Sequence, residues 1–110
     1  MKTAIIIPAY NEDQNIINLI NKINQSIDSL IIIVDDSPNS KTKNLFVRKK
    51  KNILYYHRGK KLGRGSAVIY GLKKALKVKK ITNFIEMDAD MSHRPSELKR
   101  NIKIFKKKSL

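Results

Sequence analysis

The chain alternates short aliphatic runs with segments whose apolar positions recur at helical spacing. Residues 3–7, 30–34, 53–56 and 82–87 are brief, continuous runs rich in isoleucine, valine and aromatic residues. Runs of this kind predict strands, the first two of them fully buried. Pro8 is expected to end the first. Ile16, Ile20, Ile23 and Ile27 then recur at i, i+4, i+7 and i+11 with Leu19 beside them, which predicts an amphipathic helix with Asn11 as its candidate cap. Ser40 is the candidate cap of a weaker helix over 41–51, where only Leu45, Phe46 and Val47 are apolar. Ser66 is expected to begin another, with Val68, Leu72, Ala75 and Leu76 inward and Lys73, Lys74 and Lys77 outward. Pro95 suits the first turn of a last helix, with Glu97 near its positive end and Leu98, Ile102 and Phe105 as its apolar stripe. The order β-α-β-α-β-α-β-α, at about 25 to 30 residues per unit, predicts an α/β fold built on a parallel sheet with helices on both faces.

Composition narrows the setting. The 110 residues suffice for one small domain, and a hydrophobic content of 41% supplies a core. Cysteine is absent, which removes disulfides and thiolate-bound zinc. Met1 and Lys2 lead directly into the first strand, and no apolar run approaches the ~18 residues of a membrane span. The expected location is the cytoplasm. Net charge is +15, so nucleic acid, anionic lipid head groups and phosphorylated small molecules are all conceivable partners. Lysine, asparagine and isoleucine are used heavily throughout, which marks much of that charge as compositional. The scarce acids say more. Of nine, Glu12, Asp35, Asp36, Asp88 and Asp90 all lie just beyond an apolar strand. Ligands of open α/β sheets bind beyond the carboxyl ends of strands, where strand order reverses.

Each of these strand ends allows a chemical and a plain reading. Asp88-Ala89-Asp90 presents two carboxylates that an apolar strand does not bury unpaired. They suit a hard divalent cation, Mg²⁺ or Mn²⁺, bridging to a diphosphate, or they are turn residues. Pro8-Ala9-Tyr10-Asn11-Glu12 could stack on a base and accept its N–H donors, or simply turn strand into helix. Asp35-Asp36-Ser37 could hold a base or ribose, or form an Asx-type turn. Gly63-Arg64-Gly65, behind Lys60 and Lys61, opens a helix whose N–H groups favour phosphate, or lets the chain turn tightly. It is neither a Walker loop nor a G-x-G-x-x-G fingerprint. His93 could join a metal or cap the last helix.

Together these four motifs, with Gly71 and the run Met87-Asp88-Ala89-Asp90-Met91-Ser92-His93-Arg94-Pro95, resemble family 2 glycosyltransferases, and within them the dolichol-phosphate mannosyltransferases and related polyprenyl-phosphate enzymes. The resemblance implies a nucleotide-diphospho-sugar transferase fold of the GT-A type and a donor such as GDP-mannose. It places Pro8, Tyr10 and Glu12 along the nucleotide pocket, Asp36 with Asp35 on the base or ribose, and Asp88 and Ala89 on the nucleotide. Asp90 becomes the principal metal ligand and the catalytic residue, with Asp88 and Ser92 beside it. Ser92 departs from the glutamine of many relatives and reaches less far. The implied reaction is inverting transfer of the sugar to a polyprenyl phosphate, at the cytoplasmic face of a membrane.

The resemblance covers essentially all of residues 1–110 but only the N-terminal, nucleotide-sugar-binding half of the family's domain. A complementing chain or a homo-oligomer is therefore an expected partner, and an uncovered sheet edge beyond the fourth strand an expected hazard. A nucleotide-binding fragment without catalysis is the alternative. A nucleic-acid-binding domain has net charge alone in its favour, and no stacking platform or recognition helix.

Overall fold

The computed structural model describes residues 1–89 and the short strand at 104–106. The elements run β1 (Thr3–Ala9), α1 (Ile16–Ser26), β2 (Ser29–Asp35), α2 (Lys41–Asn44), β3 (Ile53–His57), α3 (Arg64–Leu76), β4 (Asn83–Glu86) and β5 (Ile104–Lys106). They form one sheet of order β3-β2-β1-β4-β5. The first four strands are mutually parallel, as the sequence predicts. No helix of the described residues is long and apolar enough to cross a membrane.

Residue parity along the strands decides which face each side chain joins. Odd-numbered Ile5, Ile7, Ile31, Ile33, Ile85 and Met87 pack with Ile16, Leu19, Ile20 and Ile23 of α1. Even-numbered Ala4, Ile32, Val34 and Phe84 pack with Ala67 and Ala75 of α3. The helices thus cover opposite faces. Strand order reverses beside β1, which has β2 on one side and β4 on the other. At such a switch point the connections diverge and leave a crevice beyond the strand ends.

α3 meets the sheet through small residues. Its buried positions are Ala67, Gly71 and Ala75; of the inward face expected, Ala75 is buried and Leu72 packs half-buried against the core, whereas Val68 is only half-buried and Leu76 is exposed. The reason is close approach: a Cβ on Gly71 would lie 2.6 Å from Ile6 Cγ2 and 3.3 Å from Val34 Cγ2. Gly71→Ala gains roughly 1 kcal/mol of helix propensity but overpacks the centre of a β-sheet at a cost of about 1–3 kcal/mol. We therefore expect a lower midpoint in thermal denaturation. An unchanged or raised midpoint would mean that α3 can shift outward freely.

Four further expectations are corrected. Pro8 does not end β1 but lies within it, opposite Val34, past the last β1–β4 pair at Ile6, where its missing N–H breaks no ladder on that side. Asn11 does not cap α1. It adopts φ 55°, a left-handed conformation that asparagine tolerates, and Asn15 stands at the cap position. α2 spans only Lys41–Asn44, because Phe46 leaves the helical path to stack on Tyr55 with ring centroids 4.8 Å apart, and the cationic run that follows offers no apolar face. Phe105 is not on a helix stripe. It belongs to β5, which pairs antiparallel with β4, Phe84 opposite Phe105. The β4 edge expected to be open thereby has a partner along Asn83–Ile85. Pro95, Glu97, Leu98 and Ile102 of the expected last helix lie outside the described residues.

Candidate functional site

The carboxyl ends of β1, β2 and β4 and the start of α3 enclose an open cleft of about 300 Å³. Its walls include Pro8, Tyr10, Glu12, Asp36, Asp88 and Ala89, six of the residues singled out from sequence. Lys61, Gly63 and Arg64 of the basic loop complete it. The cleft sits on the α3 side of the sheet, and parity explains its acids. Asp36 continues the series Ile32, Val34, and Asp88 continues Phe84, Glu86; both series face α3.

Asp35 obeys the opposite parity and has a different role. It is fully buried on the α1 side. Its Oδ1 accepts the Ser37 N–H at 3.0 Å and the Ser37 hydroxyl at 2.6 Å, and its Oδ2 accepts the Tyr55 hydroxyl at 2.5 Å. Ser37 Oγ also accepts the Asn11 N–H at 2.7 Å, and the Ser37 carbonyl meets His57 Nε2 at 2.8 Å. One carboxylate therefore ties the turn after β2 to β3 and, through Ser37, to the loop after β1. The sequence reading grouped Asp35 with Asp36 on the ligand, but here its oxygens face the protein.

Burial raises the Tyr55 phenol far above its ordinary range, and the hydrogen bond and charge of Asp35 push the same way. A raised folded-state value contributes stability that is complete below the unfolded value, about 10 for tyrosine, and is lost as pH rises beyond it. Tyr55→Phe should cost about 1–3 kcal/mol at neutral pH by leaving Asp35 Oδ2 unsatisfied. It should also flatten the loss of stability above about pH 10 relative to the unaltered chain. Urea titrations of both proteins at pH 7 and at alkaline pH check this, and parallel curves would remove Tyr55 from the account.

Asp36 is almost buried and takes a two-pronged contact from Arg58, Nε to Oδ1 at 2.6 Å and Nη2 to Oδ2 at 2.8 Å. The Leu62 N–H adds a third bond at 3.2 Å. The Asp36 hydrogen bond, with its charge, outweighs burial and raises the Arg58 guanidinium above its ordinary value. Asp36 thus reaches the cleft wall while anchoring the basic loop across it.

Arg64, the first residue of α3, crosses the cleft to β4. Its Nε and Nη2 donate to Asp88 Oδ1 at 2.9 and 2.5 Å, and Nη1 pairs with Glu86 Oε1. Burial is the largest single influence and lowers its pKa, but the hydrogen bonds and charges of Asp88 and Glu86 together raise it. Gly63 makes the turn possible with φ 99°, which an L side chain rarely adopts. Tyr10 is exposed at the rim, with Lys61 Nζ 5.2 Å from its ring centre. Glu12 Oε2 accepts from Asn15 Nδ2 at 3.2 Å.

The sequence reading had the basic loop and the acids but not their pairing. Arg58 and Arg64 lie more than 20 residues from Asp36 and Asp88, as the separations of 22 and 24 show. No local spacing rule couples such positions.

Of the expected metal ligands, Asp88 lines the cleft, whereas Asp90, Ser92 and the candidate His93 lie outside the described residues. Among the described residues no three His, Asp or Glu side chains gather as a metal cluster. The Asp88 carboxylate is a hard oxygen donor facing a cleft, which fits Mg²⁺ or Mn²⁺, provided that it shares or gives up Arg64.

A family model described as Glycosyl transferase family 2 matches residues 4–109. Dolichol-phosphate mannosyltransferase of Pyrococcus furiosus is 34% identical over 111 residues, covering 96% of this chain and 30% of the relative. Polyprenol monophosphomannose synthase of Mycolicibacterium smegmatis is 32% identical over 104 residues, covering 90% and 39%. The chain therefore spans well under half the length of either relative. Among solved structures, S. aureus TarS 1–349 superposes with a TM-score of 0.65 at 24% identity, over 82% of this chain and 28% of TarS. The structure of the same protein in complex with UDP matches equally well. This likeness concerns the fold, which is of the GT-A type.

Proposed function

The chain belongs to glycosyl transferase family 2, and from that premise we propose that residues 1–110 form the donor-binding part of a transferase that uses a nucleotide-diphospho-sugar, GDP-mannose or a similar one. The observation that carries this reading is the cleft itself. It gathers an exposed aromatic ring, three carboxylates and two cations beyond the carboxyl ends of strands at the point where strand order reverses. Tyr10 offers a face on which a base can stack. Glu12 and Asp36 offer acceptors for base N–H or ribose hydroxyl groups. Lys61 and Arg64, with the N–H groups that open α3, offer positive potential to a diphosphate. The complex of TarS with UDP and the lipid-phosphate sugar transferases among the relatives support this choice of ligand.

In this reading an acceptor phosphate oxygen, of a polyprenyl phosphate at the cytoplasmic membrane face, attacks the anomeric carbon. The new C–O bond forms as the bond to the diphosphate breaks, the electron pair leaves with the diphosphate, and configuration inverts. An anionic acceptor needs no strong general base, so charge stabilisation at the leaving group dominates. A Mg²⁺ or Mn²⁺ ion held by Asp90, with Asp88 and Ser92 beside it, would neutralise that leaving charge. The chain's own part is to seat the nucleoside, orient the diphosphate over α3 and supply Lys61 and Arg64 beside it. The acceptor side would come from a complementing segment, chain or second copy.

Calorimetric titration with GDP, GDP-mannose, UDP and UDP-glucose, with and without Mn²⁺, tests the reading. Metal-enhanced binding of one nucleotide family is expected and names the base. A folded chain that ignores all four, yet binds arbitrary nucleic acid with steep salt dependence, would overturn it.

A further inference from the structure

Arg64 stands where an arginine should be disfavoured. It is the first residue of α3, at the positive end of the helix dipole, where a cation is repelled. What compensates is on β4: its guanidinium binds Asp88 through two nitrogens and Glu86 through the third. Glu86 is nearly buried, with a side chain 10% exposed, and Asp88 is 29% exposed. Arg64 itself remains 52% exposed, so its far side opens to the cleft. Gly63 and Gly65 flank it, and the space beside both glycines is open, with nothing within 4 Å of a Cβ built on either.

Resting on the donor-site reading, we infer that Arg64 is an exchangeable counter-ion: in the empty cleft it takes the cation position at Asp88, and when a divalent ion binds there it turns to the donor's diphosphate, which it then positions. Charge favours both positions. Without ligand, the Glu86 and Asp88 carboxylates, two residues apart at the end of β4, attract a cation between them, and the Arg64 guanidinium offsets part of their charge. With a divalent ion on Asp88, the same guanidinium is repelled by the ion and drawn to the two negative charges of the diphosphate, against which its planar fork can bond in a bidentate way. Arg64 would then be both a competitor of the metal and a selector for diphosphate over monophosphate. A purely structural bridge between α3 and β4 would be neither.

The test is Arg64→Gln beside Arg64→Lys in the 110-residue chain, each first shown to be folded by circular dichroism. Mn²⁺ binding is followed by its electron paramagnetic resonance signal in the absence of nucleotide. Arg64→Gln is expected to bind Mn²⁺ about 5- to 10-fold more tightly than the unaltered chain, because the competing charge is gone. Arg64→Lys should fall between them. In the presence of saturating Mn²⁺, Arg64→Gln should lose about 10-fold of the preference for nucleoside diphosphate over monophosphate. Unchanged or weaker Mn²⁺ binding in Arg64→Gln overturns the inference, as does a retained diphosphate preference. Failure of the unaltered chain to bind any nucleotide sinks the donor reading instead, and the nucleotide-free Mn²⁺ comparison still decides the exchange. If Arg64→Gln does not fold, the same comparison is made on Arg64→Lys alone, where Mn²⁺ affinity equal to that of the unaltered chain overturns the inference.

Discussion

Replacing Arg58 with alanine is expected to destabilise the folded chain by about 3–5 kcal/mol, the loss typical of breaking a buried ion pair from one side. Arg58 and Asp36 have side chains only 10% and 7% exposed, so solvent screens the pair little. Removing the guanidinium strands the Asp36 carboxylate, which keeps only the Leu62 N–H at 3.2 Å. It also removes the bond from Arg58 Nη1 to Ser66 Oγ at 2.9 Å and the packing of the guanidinium over Tyr70. The backbone link from the Arg58 N–H to the Asp35 carbonyl survives, so β3 should stay paired to β2 while the loop to α3 loosens. Equilibrium urea denaturation reads the loss directly. The double variant Arg58→Met with Asp36→Leu separates pairing from packing: it should recover much of the stability, since a buried ion pair is worth little more than apolar groups of similar volume. If Arg58→Ala costs less than about 1 kcal/mol, water reaches the pair and its apparent burial carries no energetic weight.

β1 and β2 were legible because each is a continuous aliphatic run whose stable place is the middle of a covered sheet, and β3 and β4 because short apolar and aromatic runs follow them at the same spacing. α1 was legible for the complementary reason, a stripe of Ile16, Leu19, Ile20 and Ile23, flanked by the half-buried Ile17, with polar residues elsewhere. α3 was harder. Its contact face is defined by Ala67, Gly71 and Ala75, residues whose smallness, not hydrophobicity, lets the helix sit on Ile6 and Val34. The expected face of Val68, Leu72, Ala75 and Leu76 includes the buried Ala75 and the half-buried Leu72, but it omits Ala67 and Gly71 and is rotated toward the exposed Leu76. The spacing of small residues at i, i+4 and i+8 was the available signal. Asn11 shows another gap. A polar residue after a strand suggests a cap, but the donor that mattered was its own N–H, taken by Ser37 in the turn after β2.

The candidate site was legible as a location and less so as a network. Strand-end acids mark the cleft rim, and the fold brings Pro8, Tyr10, Glu12, Asp36, Asp88 and Ala89 to one place. The division of labour between Asp35 and Asp36 follows from alternation: adjacent residues at the end of β2 point to opposite faces, one toward α1 and one toward α3. That rule needs only the knowledge of which helix covers which face. The partners of the acids depend on tertiary approach, since a loop before α3 must fold back over the switch point to bring Arg58 and Arg64 to β2 and β4. The resemblance to family 2 supplied the roles and the fold supplied the placement, while Asp90 and Ser92 lie outside the described residues.

Asp88→Asn should then behave in the opposite way to Arg58→Ala, with a large effect on binding and a small one on stability. The side chains of Asp88 and Arg64 are 29% and 52% exposed, and pairs of that exposure are worth roughly 1 kcal/mol or less. Arg64 also keeps Glu86 as a partner. Thermal denaturation of Asp88→Asn should therefore stay close to that of the unaltered chain. An amide still offers an oxygen to a metal but no negative charge, and the charge is what holds a hard divalent ion against water. Charge-assisted contacts of about 1.5–3 kcal/mol correspond to roughly 10- to 100-fold in affinity. We accordingly expect Mn²⁺-dependent binding of the preferred nucleoside diphosphate to weaken by about that factor, with metal-independent binding little changed. Full affinity in Asp88→Asn would place the ion and the diphosphate elsewhere. An equal loss with and without Mn²⁺ would make Asp88 a contact of the nucleotide itself, since only a metal ligand couples the two titrations.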